Sequence, residues 1–443
     1  MREAEAQSSP SPKYNLPVTA PFLFQHRAEF LPQSSEDLFL SIPSSPGIFA
    51  LHGQDAGSQP YLSRAADLRR RLRRLLAPAE SVGVDGQPAP SRRLNLRSRI
   101  RGIEWTPTGS EFESNLLLYR AARAAFGEEA ARRRLRLHPP YMLRVTLSGR
   151  HPRVYCTNRL NRKAPAEFFG PFPSRAAAER YGDAVLDLFQ LRRCSEDLEP
   201  YPDHPGCVYG EMNKCLMPCK EGHPSACTAQ QYAQEAERVF AFFATHGASL
   251  LGELTARRDA ASEAMDFEAA AALHKQWEKT RAVALLADPL VGPIVRLRLL
   301  VLQKGAPGQA ENAGASSGEA SVARSTAEAA AFVFADGQWR GPEGLTVLGA
   351  RSTGGQGETT GNALAQSPFD LAILDQVPVD LSGFGDALAQ LCRWYYRSER
   401  RRAGEIFVPG PDGSWPIRRI LNAAVRVASG SPAAEPENPL AHC

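Results

Sequence analysis

The segment that decides the fold prediction is CSEDLEPYPDHPGCVYGEMNKCLMPC, which covers residues 194–219. Its cysteines are Cys194, Cys207, Cys215 and Cys219, and the gaps between them hold twelve, seven and three residues. Thiolates are soft ligands, and four of them at short spacing can close a site around zinc or an iron–sulfur cluster. Because the segment is too polar and too rich in proline for a hydrophobic core, it favours a metal centre over four buried thiols.

The bulk composition is typical of a soluble globular protein, with 43% hydrophobic and 23% charged residues in a chain of 443. This length predicts about two to four domains. The sequence shows no apolar run that could span a bilayer and no signal-peptide hydrophobic region, so we expect a cytoplasmic location. In that reducing compartment, clustered cysteines are metal ligands more often than disulfides. Cys156, Cys392 and Cys443 are isolated and are interpreted as free thiols, and Cys227 as a spare.

Upstream of the cysteines, the pattern predicts a small mixed unit. Residues 47–51 predict a buried strand, and residues 67–76 predict a helix with leucines on one face and arginines on the other. Residues 110–136 predict one long helix, in which Ser110 and Glu113 form a capping box.

Positive charge is concentrated in residues 61–101, which carry eleven arginines and three acids, although the net charge of the chain is only +4. Such an imbalance favours contact with nucleic-acid phosphates, which would depend little on base sequence and would weaken with salt. The alternative is a solvated helix face, which is what most charge runs are. The candidate nucleic-acid contacts are Arg64, Arg69, Arg70, Arg71, Arg73 and Arg74.

Downstream, the sequence predicts further helices and strands on both sides of the cysteines. Residues 169–172 predict a turn, and residues 250–285 predict a two-helix hairpin in which Asp266 caps the second helix. The other predicted elements are a strand pair at 141–147 and 154–157, β-leaning segments at 294–302 and 331–334, and helices at 174–190, 229–244, 385–399 and 418–428. The predicted divisions are a flexible tail at 1–35 with a short docking element around residues 22–30, domains at 36–140, 141–245, 246–286 and 287–430 with a disordered insert at 306–326, and a tail at 431–443.

Four short motifs follow one another between residues 40 and 285. They are PGIF (46–49) with YLSRAADLRRRL (61–72), FGPF (169–172) with LRRC (191–194), the four cysteines, and MDFEAA (265–270) within the helical hairpin. In this order they resemble the UvrC family, a component of the bacterial nucleotide-excision-repair nuclease, and its shortened relatives. The first is similar to the GIY-YIG nuclease core, and the last looks like the UVR motif.

The resemblance implies an α+β fold with a GIY-YIG-like domain, a cysteine-cluster domain, a UVR-like helical hairpin and a C-terminal α+β region. It implies DNA repair as the function, with DNA as a partner. It also implies that the four cysteines bind an iron–sulfur cluster, of the 4Fe–4S type, with zinc as the alternative. The hairpin would bind UvrB, the partner protein of the same excinuclease. Its candidate partner-binding residues are Leu254, Met265, Phe267, Ala270 and Ala271.

The chain departs from the family at the nuclease site. Tyr61, Arg64 and Arg71 match the family's second tyrosine, lysine and arginine, whereas Phe49 and Leu118 stand where the family has a tyrosine and the metal-binding glutamate. Phenylalanine cannot move a proton, and leucine cannot bind a hard divalent cation, which requires oxygen ligands. We therefore expect a catalytically degenerate site.

Two alternatives remain open from the sequence. One is an active nuclease that makes a single metal-dependent incision near a lesion, with a relocated metal ligand such as Glu113. The other is an iron–sulfur interaction or regulatory module that pairs with UvrB. The family's second nuclease domain and helix-hairpin-helix end are not recognised in residues 290–443, and the sequence has no phosphate-binding loop for ATP.

Overall fold

The computed structural model describes residues 22–55, 57–77, 94–161, 163–224, 226–306, 327–347, 383–398, 402–410 and 413–429. Its mixture of helices and small sheets confirms the α+β class. The chain divides into two compact units that alternate along the sequence. The first comprises Met1–Ser44, Ile48–Thr106 and Leu117–Leu135, and the second comprises Ser45–Gly47, Pro107–Leu116 and Arg136–Cys443.

The first unit is built on a four-stranded sheet in the order β1-β4-β2-β3. Its elements are β1 (His26–Glu29), α1 (Ser35–Ser41), β2 (Gly47–Gly53), β3 (Tyr61–Ala65), α2 (Leu68–Leu76), β4 (Ile100–Pro107), most of α3 (Glu111–Phe126) and α4 (Glu128–Leu135). Strand β1 pairs antiparallel with β4, with His26 opposite Trp105. This strand lies within the docking element predicted around residues 22–30 of the tail, and residues 1–21 lie outside the described residues.

Helix α2 confirms the predicted leucine and arginine faces. Asp67 caps it, because the Asp67 side chain accepts a hydrogen bond of 2.8 Å from the backbone N–H of Arg70. Four leucines of the helix are buried, and each contributes about 1.5–3 kcal/mol to stability relative to an exposed side chain. They are Leu68, Leu72, Leu75 and Leu76.

The single helix predicted for residues 110–136 was wrong, because α3 ends before Gly127 and α4 begins after it. Gly127 adopts a φ of +81°, a conformation that glycine reaches without steric cost and that terminates a helix. The predicted capping box is formed only in part. Ser110 Oγ accepts from the N–H of Glu113 at 3.0 Å, but the Glu113 carboxylate accepts from Gly109 at 2.8 Å.

The second unit contains two four-stranded sheets within its described residues, and the first has the order β6-β5-β7-β8. The elements around it are β5 (Tyr141–Val145), β6 (Val154–Thr157), β7 (Phe168–Phe172), α5 (Arg175–Leu186), α6 (Val208–Glu211), α7 (Ala229–Ala244), α8 (Ala248–Glu263), α9 (Phe267–Ala284) and β8 (Gly292–Pro293). The predicted pair of strands is confirmed in β5 and β6. The turn predicted at 169–172 was wrong, because this apolar segment is the buried strand β7, which pairs with β5 and β8.

Helices α8 and α9 form the predicted hairpin, and Asp266 caps α9 by accepting from Ala269 N–H at 3.0 Å. One end of the hairpin packs into a core shared with strands β5 and β7 and helices α5 and α7. Leu254 and Leu273 are buried there with Phe242 and Phe243. The connection between the two helices is exposed.

The second sheet has the order β11-β10-β9-β12 and is covered on both faces. Its elements are β9 (Leu299–Lys304), β10 (Ala327–Ala335), β11 (Gln338–Val347), α10 (Phe384–Tyr395), β12 (Glu405–Phe407) and α11 (Ile417–Ser429). Because side chains alternate along a strand, Leu299 and Val301 face the cluster that contains α10, whereas Leu300 and Leu302 face the cluster that contains α11. These elements confirm the predicted C-terminal strands and helices. The described residues of the predicted insert stop at Ala306.

Candidate functional site

The nuclease-like positions of the first unit include two apolar residues. Phe49 is fully buried on β2 and belongs to the core formed with the leucines of α2. Its ring lies 6.2 Å from the ring of Tyr61, which is 36% exposed on β3. Leu118 is buried on α3 in an apolar cluster with Ile48, Leu117 and Ala121. Neither Phe49 nor Leu118 offers an oxygen atom to a proton or a cation.

The retained polar side chains of this region are more accessible. Arg64 is exposed on β3, and Arg71 is half-buried on α2. Glu113, the alternative metal ligand, belongs to the second unit, whereas Tyr61, Arg64 and Arg71 belong to the first. Burial raises the pKa of Glu113 to about 7, although the hydrogen bond from Gly109 opposes the rise. In the structure this carboxyl group caps the start of α3.

The arginines of α2 border a cavity of about 340 Å³. Its lining residues include Ser44, Asp67, Arg69, Arg70, Arg73 and Arg74. The Asp67 carboxylate is ionised more readily than usual, because the hydrogen bonds from Arg70 N–H and from Ser44 lower its pKa. The cavity therefore combines several guanidinium groups with one anion at its rim.

The arginines that line this cavity differ in the hydrogen bonds and ion pairs that they already make within the protein. Arg69 donates to the carbonyl oxygens of Ile42 and Leu40 at 2.7 and 3.1 Å, which fastens the connection between α1 and β2 to the helix. Arg73 pairs with Glu36 at 2.5 Å. Arg70 and Arg74 are exposed on the same helix. Arg73 is exposed as well but already pairs with Glu36, so Arg70 and Arg74 are the better candidates for contact with a ligand.

The four cysteines lie on short, irregular elements between α5 and α7. Cys215 and Cys219 are buried, Cys194 is half-buried and Cys207 is exposed. The carbonyl oxygen of Cys207 accepts from the first turn of α6, and Cys219 lies in a turn of 3₁₀ helix, Pro218–Lys220. The N–H of Met217 donates to Cys215 Sγ at 3.3 Å.

The four thiols lie close enough to influence one another electrostatically. Burial raises the pKa of Cys215 to about 12, the N–H of Met217 opposes the rise, and the other three thiols add to it. Burial likewise raises the pKa of Cys219, with added contributions from Cys207 and Cys194. Over the residues that the structure describes, no group of three or more His, Cys, Asp or Glu side chains is arranged as a metal site. The structure therefore gathers the thiols without closing them into a coordination shell.

Sequence reasoning missed two residues near these thiols. One is Cys227, which was interpreted as a spare. Burial raises the pKa of Cys227, and the nearby Cys219 raises it further. Arg192 is buried and donates a hydrogen bond to Cys194 Sγ. The signal in the sequence was the arginine two residues before the first cysteine, in the same LRRC motif.

The proposed partner-binding residues of the hairpin lie in different surroundings. Met265 and Phe267, at the connection between α8 and α9, are 77% and 68% exposed. Ala271 is exposed and Ala270 is half-buried. Leu254 is only 4% exposed, because it belongs to the core of the second unit. Its side chain is therefore not accessible to a partner.

Comparison with known families gives the class of this region. Residues 141–242 match the family model of the UvrC/Cho excinuclease middle domain. The match runs from β5 into α7 and contains all four cysteines. The cysteine-bearing part of the second unit is thus a domain of the excinuclease middle-domain type.

Curated relatives extend the similarity. The chain is 30% identical over 243 residues to the UvrABC system protein C of Kocuria rhizophila. This alignment covers 54% of this chain and 33% of that protein. The chain is 28% identical over 250 residues to the protein of the same name from Cronobacter sakazakii, which covers 56% and 38%. About half of this chain is thus similar to UvrC proteins, and each alignment spans well under half of the relative's length. No solved structure is significantly similar. Among the described helices, none is long and apolar enough to cross a membrane.

Proposed function

We propose that this protein acts in nucleotide-excision DNA repair, where it binds DNA through the first unit and has no incision chemistry of its own there. The observation that carries the proposal is the match of residues 141–242 to the excinuclease middle domain. The relatives are named as components of the UvrABC system, which supports the repair role.

DNA contact is assigned to the arginine face of α2 and also to Arg71 on that helix and Arg64 on β3. The cavity of about 340 Å³ and the exposure of Arg70 and Arg74 support this assignment. Arg69 and Arg73 contribute positive charge while they hold the helix in place. Arginine pairs well with phosphate oxygens because its planar guanidinium group presents several donors at once.

Loss of incision is inferred from the buried apolar side chains at two positions. A GIY-YIG-type reaction needs a proton acceptor and a carboxylate that binds one divalent cation, and Phe49 and Leu118 supply neither. Tyr61 and Arg71 alone could orient a phosphate, but they could not bind the cation.

The test uses the full chain with nicked and bubble DNA in the presence of Mg²⁺ or Mn²⁺. We expect binding without cleavage. Tyr61→Phe and Arg71→Ala serve as variants of the remnant site, and Arg175→Ala, an exposed arginine paired with Glu179 in the second unit, serves as the control. Cleavage by the wild-type protein that is lost in Tyr61→Phe or Arg71→Ala would show an active nuclease and overturn the degenerate site.

We also propose that Cys194, Cys207, Cys215 and Cys219 hold a 4Fe–4S cluster, with zinc as the alternative occupant. The donor set fits, since four thiolates suit either group and the structure brings the thiols within mutual electrostatic range. When bound, such a group would cross-link a segment of little regular structure and so supply folding energy.

An absorption spectrum and a metal analysis of anaerobically purified protein test this centre. Stoichiometric zinc without visible absorption would refute the cluster, and a metal-free chain would refute the centre. Cys215→Ser should lose the metal and unfold the segment. Cys156→Ser, on β6, should retain the metal and leave the segment folded. Retention of the metal by Cys215→Ser would contradict the ligand set, and Cys227→Ser shows whether the fifth cysteine participates.

The hairpin is proposed to bind UvrB through its exposed connection. Met265, Phe267, Ala270 and Ala271 form this surface, and a matching hairpin could complete a small four-helix bundle. In a pull-down with UvrB, Met265→Asp with Phe267→Asp should abolish binding, and Glu263→Gln should not. Equal capture of both variants would refute the surface.

A further inference from the structure

Arg192 is buried beside the first cysteine of the middle domain. The residue is 6% exposed, and its guanidinium group donates three hydrogen bonds. Nε donates to the carbonyl oxygen of His151 at 3.1 Å. Nη1 donates to the carbonyl oxygen of Glu196 at 3.0 Å and to Cys194 Sγ at 3.5 Å. The same nitrogen therefore links Cys194 to the chain that follows it.

The backbone of Arg192 is also held in place. Its N–H donates to Tyr232 Oη at 3.2 Å, and Tyr232 Oη donates to the carbonyl oxygen of Pro152 at 2.8 Å. Tyr232 is buried on α7, and Pro152 lies between β5 and β6. The side chain of Arg192 therefore extends from a backbone segment that is attached to two neighbouring elements. This attachment limits how far the guanidinium group can move from Cys194.

The charge of Arg192 has no carboxylate partner among the described residues within 4.0 Å. Its oxygen acceptors are neutral carbonyl groups. A buried cation is costly unless an anion or several hydrogen bonds compensate it. The one partner that can carry negative charge is the sulfur of Cys194, which becomes a thiolate when it binds a metal.

We propose that Arg192 is a positioning residue that orients Cys194 Sγ toward the other three thiols and supplies the counter-charge for a four-thiolate metal site. The role rests on the proposed cysteine centre. Four thiolates leave a net negative charge around a divalent ion or a cluster, and a fixed cation beside them stabilises that charge. Hydrogen bonds to ligand sulfur atoms also hold the ligand in its binding orientation.

Arg193 provides a matched comparison in the next position. Its guanidinium group pairs with Asp187 at 2.7 Å and lies 5.2 Å from the ring centre of Tyr209. Neither of these partners is a cysteine. Substitution of Arg193 therefore removes the same charge from the same segment and leaves the hydrogen bond to Cys194 Sγ in place.

The test is a titration of the reduced, metal-free full chain with Co²⁺, whose absorption reports thiolate coordination. Arg192→Met should bind Co²⁺ about 10–100-fold more weakly, the usual effect of removing a partner of a metal ligand. The thiolate-to-cobalt band per bound ion should also lose intensity, because Cys194 no longer takes its place. Arg192→Lys keeps the charge but cannot reach all three acceptors, so it should fall between wild type and Arg192→Met. Arg193→Met should match wild type.

The outcomes separate the two proposals. Equal affinity and equal band intensity in wild type and Arg192→Met would overturn the role of Arg192 and leave the cysteine centre standing. A wild-type chain that gives no thiolate-to-cobalt band would overturn the centre and the role together. A purely structural role would lower the thermal stability of the metal-free chain without changing the band intensity per bound ion. If Arg192→Met does not fold, Arg192→Lys against Arg193→Lys decides, and equal bands would overturn the role.

Discussion

Glu113 allows a prediction about how stability depends on pH, and the magnitude of the effect follows from the burial of its side chain. The residue is 4% exposed at the start of α3, and the nearby cluster contains Phe112 with Trp339 and Trp394 at ring distances of 4.9 and 5.3 Å. Burial raises its pKa from the ordinary value of 4.5 to about 7. Because one pKa unit corresponds to about 1.4 kcal/mol, the shift amounts to roughly 3 kcal/mol between the two protonation states.

The sign follows from proton linkage. Between about pH 4.5 and pH 7 the folded state binds this proton more strongly than the unfolded state, so stability falls as pH rises through that window. The stabilisation is fully present below pH 4.5 and is lost above about pH 7. Glu113→Gln keeps an acceptor for Gly109 N–H and removes the titration. It should therefore remain stable at pH 8, where the wild type has lost roughly 3 kcal/mol.

The assay is urea unfolding from pH 5 to pH 8, followed by tryptophan fluorescence. The quantity compared is the difference in unfolding free energy between wild type and Glu113→Gln at each pH, which removes the contributions of all other titrating groups. Glu128→Gln is the control, because Glu128 is a surface partner of Arg132. Parallel curves for wild type and Glu113→Gln over the whole range would refute the reasoning.

Three further substitutions test the packing of the two units and the DNA contact proposed for the arginine face of α2. The double variant Arg70→Ala and Arg74→Ala should reduce the slope of log affinity for duplex DNA against log salt by about 2, since each phosphate contact contributes about 0.9; an unchanged slope would exclude these arginines as contacts. Gly337→Ala should destabilise the second unit by about 1–3 kcal/mol in urea unfolding, because an added Cβ would lie 1.6 Å from the ring of Phe384 and Gly337 has a φ of +73°; wild-type stability would contradict this packing. Leu72→Ala should cost about 2–5 kcal/mol in the first unit, because the side chain is fully buried; a loss below about 1 kcal/mol would contradict that burial.

Periodicity predicted most of the helices and strands, because it reports directly which side chains face a core. The leucine stripe of α2 and the cap at Asp266 were readable in this way. The break at Gly127 was not, since an isolated glycine is compatible with a helix until the chain must turn. The segment at 169–172 contains glycine and proline, which favour a turn locally, but its buried phenylalanines fix it as a strand between β5 and β8.

At the candidate site, too, the sequence pattern did not predict the tertiary contacts. Spacing identified the four cysteines, but the contact of Arg192 with Cys194 Sγ depends on a backbone held by Tyr232, forty residues away. A helical stripe likewise grouped Leu254 with Met265, whereas the structure buries the first and exposes the second. Side chains with the same period can serve a core or a partner, and only tertiary packing separates them.

The proposed absence of incision chemistry and the stability of the first unit are consistent with each other. Phe49 and Leu118 occupy buried positions, where a hydroxyl or carboxylate group would need a compensating hydrogen bond or cation. Apolar side chains at such positions instead contribute about 1.5–3 kcal/mol each. Phe49 and Leu118 therefore strengthen the core of the unit, while Arg70 and Arg74 remain exposed on α2. The DNA contact proposed for α2 is therefore compatible with apolar side chains at the two positions where the resemblance implies a tyrosine and a metal-binding glutamate.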